Sequence, residues 1–304
     1  MSNRTITVFL IGLTLFCNPA FGQTFKQQFA DLVSKKDTTR QRQLLQKWEM
    51  ADSNDPELYV AYFNFYVTKS KKDFIELGNN PKGENILKIM AKDTSKTEPV
   101  GYMYGNSNYD PQIIKKGFDY ADQGIAENPT RLDIRFGKVY MFGELQNYKD
   151  FTEEIIRTIN YSGKIKNKWT WTDNKPVDNP KQFLLSALQT YQLQLYNTNN
   201  ENLLDNMRQI AETVLEYYPD HVESLSNLSI IYIVRKEYDK ALDALLKAEK
   251  LAPTDYIVLA NIALVYKLKT DFKNSIKYYE LMRKYGDAQA KNFAEGQIDE
   301  LRKK

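Results

Sequence analysis

Cysteine and histidine are almost absent from this chain. The only cysteine, Cys17, lies within the first 22 residues, and the only histidine is His221. Removal of those first residues, predicted below, leaves no cysteine, which excludes disulfide bonds, thiolate catalysis and cysteine metal sites. A lone histidine cannot build a two-histidine metal set, and no HExxH, GxSxG or phosphate-binding glycine loop occurs. We therefore expect a protein that is not an enzyme and that needs no metal and no cofactor.

Few other residues remain as candidates for chemistry. His221 follows Pro219 by two residues, at the start of a sequence repeat, which favours a capping or turn role. Paired carboxylates stay an open alternative, because Asp and Glu are abundant and their pairing in space cannot be read from a sequence. We interpret the adjacent Glu153 and Glu154 as part of a solvated helix face.

The chain also lacks an excess of charge. Loss of Arg4 with the first 22 residues leaves 41 of the 42 basic residues, against 39 acidic ones. An excess of two gives no electrostatic reason to expect nucleic acid or an anionic membrane as a partner.

Residues 1–22 have the features of a secretory signal peptide. Arg4 precedes an apolar run, Ile6–Phe16, and the small residues Ala20 and Gly22 precede Gln23. The apolar run is too short to span a membrane, and no other run approaches that length. We predict cleavage after Gly22, export, and a mature chain without a transmembrane segment. The abundance of Asn, Lys and Tyr favours the periplasm or envelope of a Gram-negative bacterium.

The chain contains an internal repeat of 34 residues near its end. A shift of that length places residues of similar size and polarity on one another: Leu225 on Leu259, Leu228 on Ile262, Ser229 on Ala263, Tyr232 on Tyr266, Tyr238 on Phe272, Ala241 on Ser275 and Leu245 on Tyr279. Large residues at steps of three and four, followed by small ones, predict two amphipathic helices per repeat. Pro219 and Pro253, also 34 residues apart, are predicted helix stops.

These positions resemble the tetratricopeptide repeat family. In a unit that starts at Val222, the family's large, small, aromatic and proline positions fall on Leu225, Leu228, Ser229, Tyr232, Ala241, Leu245, Ala248 and Pro253. The next unit departs at Met282 and Asp287, where the family has a small residue and a proline. The resemblance implies an all-α fold, a tetratricopeptide-like α-solenoid, with 222–286 as its best-matching repeats.

Weaker versions of the pattern extend toward the start of the chain. A unit over 132–165, a pair within 180–219 with an Asn-rich turn, a unit between Pro56 and Pro129 that residues 71–109 interrupt, and a unit before Pro56 bring the total to about six helix pairs. The polar segment 287–304 suits a C-terminal capping helix. We therefore predict one domain over 23–304.

Two insertions interrupt the pattern. Residues 71–109 contain FIEL and VGYMY, which predict strands, around ENILKIMAK, which predicts a short helix. We expect this segment to pack on the helices or to stay partly mobile. Residues 161–180 form an aromatic loop in which Trp169 and Trp171 share one face of an extended segment. These indoles either bind a glycan or peptide, or anchor the loop on neighbouring helices.

The resemblance also implies which residues line a concave groove. Asn227 and Asn261 fall where the family often places an amide that binds a peptide backbone. Further groove positions hold Ile230, Leu264, Phe136 and Tyr140, so the groove is largely apolar. It binds an apolar or amphipathic segment, or another part of the same molecule covers it. The expected function is a non-catalytic scaffold for a protein or peptide partner. The alternative is a glycan-binding or nutrient-acquisition component that uses the Trp169 and Trp171 loop.

Overall fold

Helices joined by short turns make up most of this computed structural model. The structure describes residues 23–81, 85–92 and 97–304. Within them lie thirteen α-helices and three β-strands. This confirms the predicted all-α, tetratricopeptide-like α-solenoid with a small β-containing insertion and a capping helix. The predicted signal peptide, residues 1–22, lies outside the described residues.

The residues group into two compact units, and the N-terminal unit contains the described residues up to Asn147 together with Trp169–Pro176. Its elements are α1 (Phe25–Ser34), α2 (Thr38–Ala51), α3 (Pro56–Ser70), β1 (Lys71–Gly78), β2 (Ile86–Met90), β3 (Pro99–Tyr109), α4 (Pro111–Glu127) and α5 (Leu132–Glu144), with a 3-10 turn at Thr172–Asn174. Helices α3 and α4 pack against each other although the strands separate them in sequence.

Aspartate followed by proline begins both of these helices. Asp55 and Asp110 each accept a hydrogen bond from the backbone N–H two residues further on, at 2.9 and 3.1 Å. Pro56 and Pro111 follow them in the first turn, where a backbone N–H would have no partner within the helix. The helix before the insertion and the helix after it thus begin in the same way.

The insertion forms an antiparallel sheet with strand order β1-β3-β2. The strands predicted at FIEL and VGYMY are present, but the helix predicted at ENILKIMAK is wrong, because Ile86–Met90 is strand β2. An isolated helix of nine residues is marginal in water, whereas pairing with β3 satisfies the backbone of this segment. The paired residues lie 9 to 18 positions apart in sequence, so the local sequence of this segment could not reveal the pairing.

Apolar side chains on the sheet are left exposed. They are Phe74, Ile75, Leu77, Ile86, Leu87, Met90 and Val100. Tyr104 on the central strand is buried. Within the described residues, the sheet therefore does not bury the apolar surface that its composition provides.

The C-terminal unit contains Tyr148–Lys168 and Val177–Lys304. Its helices are α6 (Tyr148–Lys164), α7 (Pro180–Asn197), α8 (Leu204–Tyr217), α9 (Val222–Val234), α10 (Tyr238–Leu251), α11 (Tyr256–Leu268), α12 (Phe272–Tyr285) and α13 (Ala288–Leu301). Neighbouring helices pack as pairs, among them α9 with α10 and α11 with α12. The single domain over 23–304 stays a prediction.

Large and small residues interlock at the end of this unit. Tyr279 and Met282 on α12 are buried, and α13 faces them with the small residues Ala290 and Ala294. Helix α13 is thus the predicted capping helix. On α6, Glu154 is buried beside Arg157, at 3.7 Å, so the solvated-face interpretation is wrong for Glu154.

Candidate binding surface on helices α9 and α11

The 34-residue repeat places equivalent residues along one face of α9 and one face of α11, which contact each other. We call this set the α9/α11 stripe: Glu223, Asn227, Ile230 and Val234 on α9, and Ile257, Asn261, Leu264 and Leu268 on α11. Steps of four, three and four residues keep the side chains on one face of each helix.

Four apolar side chains of the stripe are exposed. Leu264, Leu268 and Val234 are 36%, 40% and 41% exposed, and Ile257 is 56% exposed. The opposite faces of the same helices form the core, with Leu259 and Ile262 among the fully buried side chains. Helices that are apolar all round are ordinarily covered on every side. The exposed face of α9 and α11 is therefore typical of a surface that a partner covers.

The two stripe asparagines differ in their hydrogen bonds. Asn227 is 6% exposed, and its Nδ2 donates to Oε1 of Gln189 on α7, at 2.9 Å. Asn261 is half-buried, and its side chain makes no hydrogen bond within the part of the chain that the structure describes. A side-chain amide offers one acceptor and two donors, the complement of a peptide backbone. Asn261 is thus open to a ligand, whereas the fold already uses Asn227.

His221 lies at the start of the stripe as the N-cap residue of α9. Its Nδ1 is 2.8 Å from the Ser224 hydroxyl, and its Nε2 is 3.2 Å from a Glu223 carboxylate oxygen. Burial lowers the pKa of His221 despite the Glu223 carboxylate, so the neutral imidazole is favoured. This arrangement ties the histidine to the first turn of the helix.

Phe136 and Tyr140 lie on α5 in the N-terminal unit, whereas the stripe lies in the C-terminal unit. Phe136 is half-buried, and its ring meets that of Trp171 edge-on with centroids 6.0 Å apart. Tyr140 is about half-exposed, and burial together with the Glu144 carboxylate raises its pKa.

In the aromatic loop, backbone hydrogen bonds join Thr170 to Thr130 and Leu132. The two tryptophans are not equivalent. Trp169 is 2% exposed, with the Arg135 guanidinium 5.8 Å from its ring centre, so this indole packs inside the unit. Trp171 is half-buried against Phe136. Of the pair, only Trp171 presents surface, which weakens the glycan alternative because that alternative used both rings.

An ion network fastens this loop, and sequence reasoning missed it. Arg131 is fully buried and binds Glu57 at 2.8 Å and Asp133 at 2.7 Å. The backbone N–H of Asp173 donates to Glu57 at 2.8 Å, and Lys26 reaches Glu57 at 3.1 Å. Because these residues come from four distant segments, no local spacing could have indicated them.

The network keeps its central cation charged. Burial opposes the charge of Arg131, but hydrogen bonds and ion pairs with Asp133 and Glu57 raise its pKa above the ordinary value. One guanidinium nitrogen, Nη1, makes no hydrogen bond within the described residues. The contacts hold the aromatic loop on α1, α3 and α5, which is a structural role.

The described residues contain no group of three or more His, Cys, Asp or Glu side chains placed to hold a metal ion. Among the helices that the structure describes, none is long and apolar enough to cross a membrane.

Comparison with known proteins gives little similarity. No protein-family model and no curated protein matches the chain. Among solved structures, a double mutant of MamA RS-1 is 11% identical, with a TM-score of 0.28 over 86% of this chain and 92% of that one. Pseudomonas aeruginosa PilF is 10% identical, with a TM-score of 0.28 over 91% and 86%. Yeast Tom70 is 12% identical, with a TM-score of 0.32 over 88% and 60%. We therefore infer the function from this chain's own residues.

Proposed function

We propose that this chain is an exported, non-catalytic scaffold that binds an apolar or amphipathic peptide segment of a partner protein through the α9/α11 stripe. The observation that carries the proposal is the exposure of four large apolar side chains on one face of two packed helices. Such a face has a cost in water that a partner removes.

The free energy gained by covering these side chains determines which further contacts a partner must make. Burying a fully exposed apolar side chain contributes about 1.5 to 3 kcal/mol. Because Val234, Ile257, Leu264 and Leu268 are only 36% to 56% exposed, covering all four contributes about 3 to 5 kcal/mol. The loss of translational and rotational freedom offsets much of that gain. A stable complex therefore needs polar contacts as well. The Asn261 amide supports one of them, because it can bond to both the N–H and the C=O of a peptide backbone.

Export and the absence of catalysis are proposed on separate grounds. Export follows from the predicted signal peptide, residues 1–22. A binding role without catalysis is supported by the sole histidine, which contacts the first turn of its own helix.

Selection of peptides from a random library on the chain from Gln23 to Lys304 tests the proposal. We expect selected peptides to share apolar residues at helical or alternating spacing. Their affinity should fall at least about tenfold with Leu264→Asp, since a buried charge without a partner is costly. Met50→Asp is the matched control, because Met50 is an exposed apolar residue on α2 of the other unit. Equal losses in both variants would exclude the stripe as the binding surface.

A further inference from the structure

A polar groove lies in the N-terminal unit between α2 and α3, with a volume of about 430 Å³. It is lined by Thr38, Thr39, Arg42, Gln43 and Gln46 of α2, and by Phe65 and Lys69 of α3. The α2 residues recur at steps of three and four, so they share one helix face. No carboxylate lines the groove.

Two cationic side chains of this groove, those of Arg42 and Lys69, have no acidic partner within the described residues. Neither Arg42 nor Lys69 forms an ion pair with any residue that the structure describes. Arg40 on the same helix does, with Asp37 at 3.5 Å. The Lys69 ammonium lies 5.7 Å from the centre of the Phe65 ring, a cation-π contact that holds it beside the apolar floor. The groove thus presents two exposed positive charges with no counter-charge among its lining residues.

The other lining groups suit a peptide rather than a bare ion. Threonine hydroxyls and glutamine amides can donate to and accept from a peptide backbone. A guanidinium also binds a carboxylate through two parallel hydrogen bonds.

We propose that this groove binds an acidic segment of a polypeptide, with side-chain carboxylates on Arg42 and Lys69. The site lies on a different unit from the α9/α11 stripe and differs from it in chemistry. Nucleic acid is the less favoured polyanion, because its binding depends on neutralising many phosphates along a track.

The test uses the chain from Gln23 to Lys304 and a fluorescein-labelled hexaglutamate peptide, acetylated and amidated so that it has no terminal carboxylate. Fluorescence anisotropy measures binding, with hexaglutamine as the neutral probe. We expect hexaglutamate alone to bind, and the Arg42→Gln and Lys69→Gln double variant to weaken it at least about tenfold. Binding should also weaken as salt rises.

The control removes the same amount of charge from α2, at positions outside the groove. Arg40→Gln with Lys47→Gln should change the affinity less than about twofold. Circular dichroism checks that both double variants remain folded. Equal loss in the two double variants, absence of hexaglutamate binding, or full displacement by inorganic phosphate at equal charge concentration would each overturn the proposal. Leu264→Asp should leave this binding unchanged, which separates the test from that of the stripe.

Discussion

The repeat made of α9 and α10 and the repeat made of α11 and α12 share a core pattern but differ at the surface and at the chain end. Leu225 and Leu259 occupy equivalent buried positions. On the exposed face, Glu223 in the first copy corresponds to Ile257 in the second, and the amide of Asn227 is bonded while that of Asn261 is open. Packing requirements are thus repeated, whereas the open amide and most of the exposed apolar side chains of the proposed binding surface lie in the second copy.

The second helices of the two copies differ for a reason of packing. Ala244 and Leu245 on α10 correspond to Tyr278 and Tyr279 on α12, and all four are buried. The Tyr279 ring meets Phe293 of α13 edge-on, with centroids 6.3 Å apart, and the Tyr278 ring stacks on Tyr266 of α11. Met282 belongs to the same buried cluster as Ala290 and Ala294 of α13. The departure from the family pattern at Met282 therefore follows from the capping helix that packs there.

Truncation of the shared core should have the largest effect. Leu225→Ala and Leu259→Ala should each lower the free energy of unfolding by about 2 to 5 kcal/mol, because each leaves a cavity in the same packed position. Urea titration followed by circular dichroism measures both. Leu264→Ala, on the exposed stripe, should cost less than about 1 kcal/mol. Core losses that differ by more than about 2 kcal/mol would contradict equivalent packing in the two copies.

The free energy of unfolding at alkaline pH should give the next largest difference between the two copies. Burial raises the pKa of Tyr279 to about 12, with a smaller contribution from the Glu300 carboxylate. The folded state thus holds this proton more tightly than the unfolded chain, whose tyrosine pKa is about 10. Stability from this group is complete below pH 10 and is lost as the pH rises toward 12, on the order of 2 kcal/mol.

The Tyr279→Phe variant measures that contribution. The alkaline fall in unfolding free energy should be smaller in Tyr279→Phe than in the unaltered chain, whereas Tyr285→Phe, at an exposed position, should not change it. Leu245 at the equivalent position of the first copy has no titrating group. An identical pH profile in the Tyr279→Phe variant would refute this explanation.

The two asparagines should give the smallest stability difference. Asn227→Ala leaves Gln189 without its hydrogen-bond donor and should cost about 0.5 to 1.5 kcal/mol. Asn261→Ala breaks no bond within the described chain and should stay within about 0.5 kcal/mol, while it weakens binding of selected peptides. Thermal unfolding and peptide titration of the same two proteins give both values. The reverse order of stability would mean that the amides have been assigned the wrong roles.

Sequence reasoning succeeded where contacts are local and repeated. The 34-residue shift predicts α9 to α12 because the spacing of large and small residues is itself the packing rule. It failed for Ile86–Met90, whose strand depends on pairing with β3. It could not foresee that Trp169 packs beside Arg135, or that Asn227 is bonded to Gln189, 38 residues away. Those outcomes depend on which distant side chain arrives at the same place.

Site-specific photo-crosslinking in the cells that produce the protein tests the central claim most directly. A photoreactive amino acid is placed singly at Ile257, Leu264 or Leu268, and at Met50 as the control. We predict that the three stripe positions crosslink to one common partner, that this crosslink disappears when Asn261→Ala is added, and that Met50 gives no crosslink. Crosslinking to the same partner from Met50 with equal yield, or none from any stripe position in a folded protein, would contradict it.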